Sequence, residues 1–419
     1  MVSRVIKPAM SDNERRIVAY TSLAHALNHL IEISYPALLV FIAKEFGIGY
    51  LFLGAVANAA ALAYGLTAPV GGFLSDRVGS KRMLWLQLGL GGVASLLVAA
   101  STNHWFLAVT LTLLGLASGI YHPVGLSFIT RSVRSRAMAT GYHGMAGNLA
   151  VAVAPAVAVA MAGIWNWRAA FVVYGAIGLL AAFLVMASRL REETPERAAP
   201  VQDESTTPPG GRARNVARVM WPPLIAVLCA NALGGFIYRG AVTYLPLHLT
   251  ENLGLHLFGV EPATLAGYFA TIALLFGIGG QYVGGSLGER LRKEYLVAPM
   301  ALCVVPSLLL VGTSGRVWLV VGASAFAFFH FMAQPVYNAL IADYTPLRLQ
   351  GRIFGVAFLL GYGVGSFAAT LGGYMAEHGG TSGLFLSLAA SQAVAIAAGA
   401  FLVISALKRT KRPYGEGIG

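Results

Sequence analysis

The sequence predicts an all-α membrane protein with twelve transmembrane helices in two pseudo-symmetric bundles of six. Three observations predict this class: the 419-residue chain is 57% hydrophobic, only 11% of its residues are charged, and the charges are confined to short segments. A soluble domain needs about 25% charged residues to cover its surface. The apolar runs are about 20 residues long, enough to cross a hydrocarbon core as helix. No series of segments alternates with period two, which argues against an outer-membrane barrel.

The apolar runs form two sets of six. The first set covers residues 17–43, 51–75, 83–101, 105–130, 137–162 and 168–188. The second set covers residues 220–249, 264–288, 295–313, 317–342, 352–376 and 382–407. We therefore predict five regions, which are an N-terminal tail over 1–16, a six-helix bundle over 17–188, a linker over 189–219, a second bundle over 220–407 and a C-terminal tail over 408–419. The linker is rich in Pro, Gly and charged residues, a composition typical of flexible segments.

The positive charge is distributed asymmetrically between the segments that join the spans. Of the 29 Lys and Arg residues, 25 lie in the N-terminal tail and every second segment after it. The other segments hold only Lys44, Arg168 and Arg316, and Arg239 lies within a span. This asymmetry predicts an inner-membrane protein with both termini in the cytoplasm. The formal charge of +12 is thereby explained by topology, and we expect no nucleic-acid partner.

The two halves carry similar short motifs at corresponding positions, as expected of an internal repeat. Asp76-Arg77 follows helix 2, and Glu289-Arg290 follows helix 8. His122-Pro123 in helix 4 corresponds to Gln334-Pro335 in helix 10, and we expect both prolines to break their helices and form hinges.

The motif Gly72-x-Leu74-x-Asp76-Arg77-x-Gly79-x-Lys81-Arg82 resembles the signature loop between helices 2 and 3 of the major facilitator superfamily. The resemblance implies secondary transport by alternating access, with helices 1, 4, 7 and 10 around a central cavity. It also implies that Asp76 locks the cytoplasmic gate, with Arg131 and Arg352 as its natural partners. The predicted gating residues are Gly72, Asp76, Arg77, Gly79, Lys81, Arg82, Arg131, Glu289 and Arg290. The alternative is that this loop is an ordinary solvated turn whose charged residues serve only to set the orientation of the chain in the membrane.

A narrower resemblance is to the fosmidomycin-resistance type of drug-efflux protein. The residues that carry it are His25 and Asn28, Pro36 to Leu39, Tyr121-His122-Pro123, Gly147-Asn148-Leu149 and Pro155. The resemblance implies a proton-coupled antiporter that confers multidrug resistance by efflux.

Glu32 and Arg239 are the charged side chains that lie well inside predicted spans. An ionised group there is costly unless it faces a cavity or a partner, and such groups are usually functional. We predict that Glu32 couples transport to protons. Arg239 either pairs with Glu32 across the cavity or binds an anionic group of the substrate. A purely structural salt bridge is the third possibility.

His25, His29 and Glu32 are spaced i, i+4 and i+7, so they share one face of helix 1. The same residues suit a proton relay or a divalent transition metal bound by imidazole and carboxylate ligands. A polar stripe that faces a wet cavity is the alternative without a ligand.

Further polar residues inside the spans predict one solvated substrate site together with Arg239. They are Asn28, Tyr35, His122, Asn148, Asn231, Tyr238, His330, Gln334, Tyr337, Asn338 and Tyr362.

These patterns favour a transporter over an enzyme, because neither a catalytic triad nor a phosphate-binding loop is recognisable. The leading hypothesis is proton-coupled efflux of a small amphipathic or anionic organic compound. The alternatives are transport of a divalent metal or its chelate through the His25, His29 and Glu32 face, and substrate–proton symport. We expect no cofactor, and we expect a monomer whose partners are the substrate, protons and the lipid bilayer.

Overall fold

The computed structural model describes residues 10–134, 136–192, 218–254 and 259–410. Within these ranges it contains twelve helices long and apolar enough to cross a membrane, which confirms the predicted number. In the N-terminal half the helices are α1 Asp12–Phe46, α2 Tyr50–Val78, α3 Ser80–Ala99, α4 His104–Gly119 continued by Tyr121–Ser132, α5 Arg136–Ile164 and α6 Arg168–Ala187. In the C-terminal half they are α7 Trp221–Asn252, α8 Pro262–Arg290, α9 Val297–Thr313, α10 Arg316–Asp343, α11 Leu347–Leu359 continued by Gly365–His378, and α12 Ser382–Thr410.

Helix α1 begins at Asp12, five residues before the predicted span and inside the predicted tail. A capping box explains the earlier start. The Ser11 hydroxyl accepts from the Glu14 N–H at 3.3 Å, and the Glu14 carboxylate accepts from the Ser11 N–H at 2.8 Å. These bonds satisfy backbone donors that the first turn leaves open. Hydropathy does not detect such a polar first turn.

Two helices of the bundle are irregular near the centre. Helix α4 is interrupted at Ile120, three residues before Pro123, which has no N–H to donate to the carbonyl of Gly119. In contrast, α10 continues through Pro335, so the second predicted proline break is wrong. Helix α11 contains a π-helical turn over Leu360–Val364 that sequence reasoning did not predict. Such turns are frequent at functional sites.

Residues 10 and 410 lie at one end of the bundle, which we call the termini end. There Asn13 Nδ2 donates to the Arg191 carbonyl at 3.0 Å, joining the start of α1 to the segment after α6. At the opposite end, Arg168 at the start of α6 pairs with Glu45 at the end of α1 at 2.6 Å. Helices α1 and α6 therefore run antiparallel.

The two halves are in close contact at the opposite end. Asn58 Nδ2 on α2 donates to Thr370 Oγ1 on α11 at 3.1 Å, and the Leu51 N–H donates to Glu377 Oε1 at 2.8 Å. Between α5 and α8, the Ala156 N–H donates to Thr271 Oγ1 at 3.0 Å. These contacts close the opposite end of the bundle.

At the termini end the same helix faces are exposed. On α5, Met138, Tyr142 and Met145 are 47%, 51% and 68% exposed. Their spacing along the helix places them on the same face as Ala156. On α8, Tyr282 is 80% exposed. The bundle is therefore open between the halves at the termini end.

Candidate functional site

A row of side chains in hydrogen-bond contact occupies the middle of α1. His25 Nδ1 lies 2.8 Å from the His143 carbonyl oxygen on α5, and His25 Nε2 lies 3.1 Å from His29 Nε2. His29 Nδ1 lies 3.0 Å from Glu32 Oε2. The predicted proton-coupling residues thus lie in direct contact with one another.

The number of hydrogens that this row needs follows from counting donors. The His143 carbonyl can only accept, a neutral imidazole carries one N–H, and an ionised carboxylate carries none. The three contacts of His25, His29 and Glu32 therefore need three hydrogens, and two neutral imidazoles supply only two. The row is fully hydrogen-bonded only when it holds one additional proton.

The row ends at an ion pair between the two halves. Glu32 Oε1 is in direct contact with the Arg239 guanidinium of α7, and the two side chains are only 9% and 12% exposed. The two contacting atoms have no other polar partner among the described residues. The Arg239 guanidinium carbon also lies 4.6 Å from the ring centroid of Tyr362, which stacks on Tyr64 at 4.6 Å. Of the predicted pictures for Arg239, the contact with Glu32 is the one present in this conformation.

The predicted set of metal ligands does not converge on one point. Glu32 contacts Nδ1 of His29, whereas His25 contacts Nε2 on the other side of the same ring. The group that could hold a metal ion instead consists of His25, His29 and His122, whose ligand atoms lie within 4.8 Å of one another. Nε2 of His122 is buried without a hydrogen-bond partner among the described residues. Spacing along α1 predicted the shared face, but it could not predict a third imidazole from α4.

Two cavities meet at the ion pair. The larger cavity, of about 210 Å³, is lined by His29 and Arg239, and the smaller one, of about 70 Å³, is lined by Glu32 and Arg239. The smaller cavity extends toward the opposite end past Tyr35 and Thr243. His29 therefore lines one cavity and Glu32, in contact with it, lines the other, whereas Arg239 lines both.

Most predicted substrate residues line the larger cavity. They are Asn148, Asn231, Tyr238, Arg239, His330, Gln334, Tyr337, Asn338 and Tyr362. Sequence reasoning missed Gln392 of α12, which also lines this cavity. A lone amide inside an otherwise apolar span was the signal that could have identified it.

Three predicted substrate residues lie elsewhere. The Tyr35 hydroxyl donates to the Leu53 carbonyl at 2.9 Å and lies at the smaller cavity. Asn28 is 2% exposed, and its amide donates to the Tyr64 hydroxyl at 3.2 Å. His122 packs beside His25, with ring centroids 5.0 Å apart. None of these three residues lines the larger cavity.

The predicted gating motif lies at the termini end of α2 and α3. Gly79, between the helices, has a φ of +96°, which favours glycine. Lys81 Nζ donates to the Ser188 carbonyl at 2.6 Å, and its N–H donates to Glu192 Oε1 at 2.5 Å. The Arg77 guanidinium lies over the ring of Phe73. These contacts lie within the N-terminal half.

The proposed lock itself stays a prediction, because the side chain of Asp76 lies outside the described residues. Gly72 packs beside Pro123, where an added Cβ would lie 3.4 Å from the proline Cβ. The remaining predicted gating residues have exposed side chains, and they are Arg82, Arg131, Glu289 and Arg290.

The chain matches the family model of the Major Facilitator Superfamily over residues 21–370. This protein belongs to the Major Facilitator Superfamily. It is therefore a multi-pass membrane transporter and not an enzyme. The match confirms the family that the loop after α2 indicated.

Similar proteins of this superfamily cover nearly the whole chain. The chain is 25% identical to a probable sulfoacetate transporter from Cupriavidus necator, over 87% of this chain and 88% of that protein. It is 24% identical to the fosmidomycin resistance protein of Escherichia coli, over 86% of each chain. It is 23% identical to the hexuronate transporter of Bacillus subtilis, over 90% of this chain and 91% of that protein. The fosmidomycin-resistance resemblance is thus one of several at similar identity.

Solved structures show the same fold. A bacterial homolog of the human lysosomal transporter Spinster, in an inward-facing and occupied conformation, matches with a TM-score of 0.74 and 15% identity. That match covers 98% of this chain and all of the other. A peptide transporter in complex with sulfate matches with a TM-score of 0.71 and 16% identity, over 94% of each chain.

Proposed function

We propose that this protein is a proton-coupled symporter of small organic anions. One observation carries the proposal: the Arg239 guanidinium faces the larger cavity, and its ionic partner is a carboxylate that also belongs to the proton-holding row. An arginine fork is well suited to a carboxylate, sulfonate or phosphonate group. An anion that enters the cavity competes with Glu32 for Arg239.

This competition links anion binding to proton binding. While Arg239 contacts Glu32, the positive charge stabilises the ionised carboxylate. When an anion takes over the guanidinium, Glu32 loses that stabilisation and holds its proton more tightly, hydrogen-bonded to His29. By linkage, the proton strengthens anion binding by the same factor. Two solutes that favour each other's binding are carried in the same direction.

The names of similar proteins support an anionic substrate. Sulfoacetate and hexuronate, in the names of two of these proteins, are organic anions. A probable L-galactonate transporter from Escherichia coli, 26% identical over 84% of this chain, adds a third. The largely buried Arg239 is the feature of this chain that matches the negative charge these anions share.

Efflux by proton antiport, with multidrug resistance as its outcome, is the second candidate mode. The similarity to the fosmidomycin resistance protein favours it. Antiport requires that binding of the anion and binding of the proton exclude each other. Because Glu32 contacts both His29 and Arg239, this site instead favours binding of both together. Transport of a divalent metal has less support, because the Arg239 guanidinium lies beside the row and repels a second cation.

We place the protein in the inner membrane with both termini in the cytoplasm, on the strength of the charge asymmetry of its loops. In that orientation the open end faces the cytoplasm. All residues of the site come from one chain, so we propose that the monomer is the functional unit.

Reconstituted vesicles test the proposed mode. Labelled sulfoacetate, glucuronate and gluconate serve as probes, with and without an inwardly directed proton gradient. Symport predicts that the gradient accelerates uptake and drives accumulation of at least one probe. Accumulation driven only by an outwardly directed gradient would instead establish antiport and contradict the proposal.

A further inference from the structure

The wall of the larger cavity contributed by the C-terminal half carries neutral polar side chains, and most of their hydrogen-bonding groups have no partner among the described residues. We propose that this wall is a subsite for the hydroxyl groups of the substrate, so that the preferred anion is a hydroxylated monoanion rather than an amphipathic drug. The inference rests on the proposed function, which assigns the anionic group to Arg239.

Two of these side chains are deeply buried and yet unpartnered. Tyr337 of α10 is 8% exposed and Gln392 of α12 is 4% exposed, and both line the cavity. Neither side chain makes a hydrogen bond within the described part of the chain. The hydroxyl of Tyr337 and the amide of Gln392 do not belong to the buried unpartnered atoms, so both groups are open to the cavity. A molecule that displaces water from such groups has to replace the hydrogen bonds that the water made. A bound molecule with several hydroxyl groups satisfies such groups.

The neighbouring polar groups add to the subsite. Tyr238, His330 and Asn338 also line the cavity and have no hydrogen bond among the described residues. Gln334 accepts from Gln281 Nε2 at 2.8 Å, which leaves its own NH₂ group free. Together these groups provide donors and acceptors on more than one helix, which is what a chain of hydroxyl groups requires.

The charge of the wall limits the substrate to one anionic group. Among the lining residues Arg239 is the only one with a fixed charge, and the rest are amides, phenols, imidazoles or apolar side chains. A second carboxylate would be placed in a buried cavity without a cation, which is unfavourable. The amides also make the cavity a poor match for an amphipathic compound, because burying them against an apolar surface would leave them unsatisfied.

The cavity is long enough for such a molecule. Asn231 and Arg239 are eight residues apart on α7, so they are separated by about 12 Å along the helix axis. Asn231 retains free amide capacity, because only its Nδ2 is engaged, with the Ala357 carbonyl at 3.1 Å. A six-carbon acid bound at Arg239 therefore has its hydroxyl groups beside the subsite.

Matched pairs of anions test this inference. Binding to the purified protein is measured by calorimetry for gluconate against hexanoate, and for trihydroxybutanoate against butanoate. Each pair has the same carbon number and charge and differs only in hydroxyl groups. We expect the hydroxylated member to bind at least tenfold more tightly, because a site built to hydrogen-bond rejects the analogue that lacks the groups.

Two variants remove hydrogen-bonding groups with little change in shape. Tyr337→Phe and Gln392→Met should each weaken gluconate binding about fivefold, the value of one neutral hydrogen bond. Hexanoate binding should change less than twofold. Tyr268→Phe is the matched control, because Tyr268 on α8 is 40% exposed and lines neither cavity. An equal effect of Tyr337→Phe on both anions would overturn the subsite.

Sorbitol, the neutral counterpart of gluconate, separates failure of the subsite from failure of the proposed function. Equal binding of gluconate and hexanoate, both lost in Arg239→Gln, would overturn the subsite and leave the anion proposal intact. Equal binding of sorbitol and gluconate, both insensitive to Arg239→Gln, would support the subsite and contradict the anion proposal. A panel in which no hydroxylated anion exceeds its deoxy counterpart, including one in which nothing binds, overturns the subsite.

Discussion

The two halves of the bundle share one fold but contribute different chemistry to the site. The N-terminal half supplies titratable side chains, His25, His29 and Glu32, in one hydrogen-bonded row. The C-terminal half supplies the fixed charge, Arg239, and the neutral polar wall of the larger cavity. In the account proposed here, one half holds the proton and the other holds the anion.

This division explains how two solutes can be coupled without touching each other. The contact between Glu32 and Arg239 is the ionic link between the two sets of groups at the site. It lies where the two cavities meet, so a change in either set alters the contact that separates the cavities. Coupling then requires only that Arg239 exchanges one carboxylate for another.

The largest effect is expected from Arg239→Gln. It removes the anion site and leaves Glu32 as a buried carboxylate without its arginine partner, a change that costs about 3–5 kcal/mol of stability when the carboxylate stays ionised. We expect uptake of every anionic probe to fall more than 100-fold in reconstituted vesicles. Arg292→Gln, at an exposed arginine, is the control and should transport normally. Substantial anion uptake by Arg239→Gln would show that the anion binds elsewhere.

Glu32→Gln separates binding from coupling. The amide can still contact His29, but it cannot take up a proton. We expect gradient-driven accumulation to fall at least 30-fold, an energy of about 2 kcal/mol, while exchange of labelled for unlabelled anion continues. Asp12→Asn, at an exposed surface pair, serves as the control. Normal proton-driven accumulation by Glu32→Gln would remove this residue from the coupling step.

His25→Phe breaks the row at its other end. The change leaves His29 Nε2 and the His143 carbonyl without their present contacts. We expect about a tenfold loss of proton-driven uptake, because one buried contact to a charged group contributes about 1.5 kcal/mol. Anion exchange at saturating substrate should be nearly unchanged. If exchange and driven uptake fell equally, His25 would have a structural role only.

The smallest effect is expected at the closed end, which both halves build. At Gly373 on α11, an added Cβ would collide with the backbone oxygen of Tyr50 on α2. Gly373→Ala should therefore weaken closure and slow transport by about threefold, without changing the pH dependence of anion binding. Gly383→Ala is the control, since no atom lies within 4 Å of its Cβ position. Labelling of a cysteine introduced at Asn58 should increase in Gly373→Ala only.

The sequence predicted the fold because each membrane-spanning helix needs a long apolar segment, which is recognisable in the sequence alone. Apolar runs of about 20 residues and the Asp76 loop were sufficient to predict twelve helices and the superfamily. The contact of Glu32 with Arg239 was also predictable, because charged groups inside spans are few and need partners.

Features that depend on packing between helices were not predictable in this way. The spacing of His25, His29 and Glu32 predicted the shared face of α1, but not which ring nitrogen meets which neighbour. It also could not predict that the group able to hold a metal ion includes His122 of α4. Tyr64 was recognisable as a site residue only after the helices were packed. The continuous α10 shows that a proline inside a span does not by itself interrupt the helix.

Proton uptake upon anion binding tests directly whether an anion at Arg239 makes Glu32 hold a proton. It is measured in weakly buffered solution with a pH indicator. The account predicts that, at a pH where the free protein has released the extra proton, the wild-type protein takes up about one proton per gluconate bound. It predicts no proton uptake in Glu32→Gln. Release of a proton upon anion binding, or binding with no proton change in the wild-type protein at any pH, would contradict it.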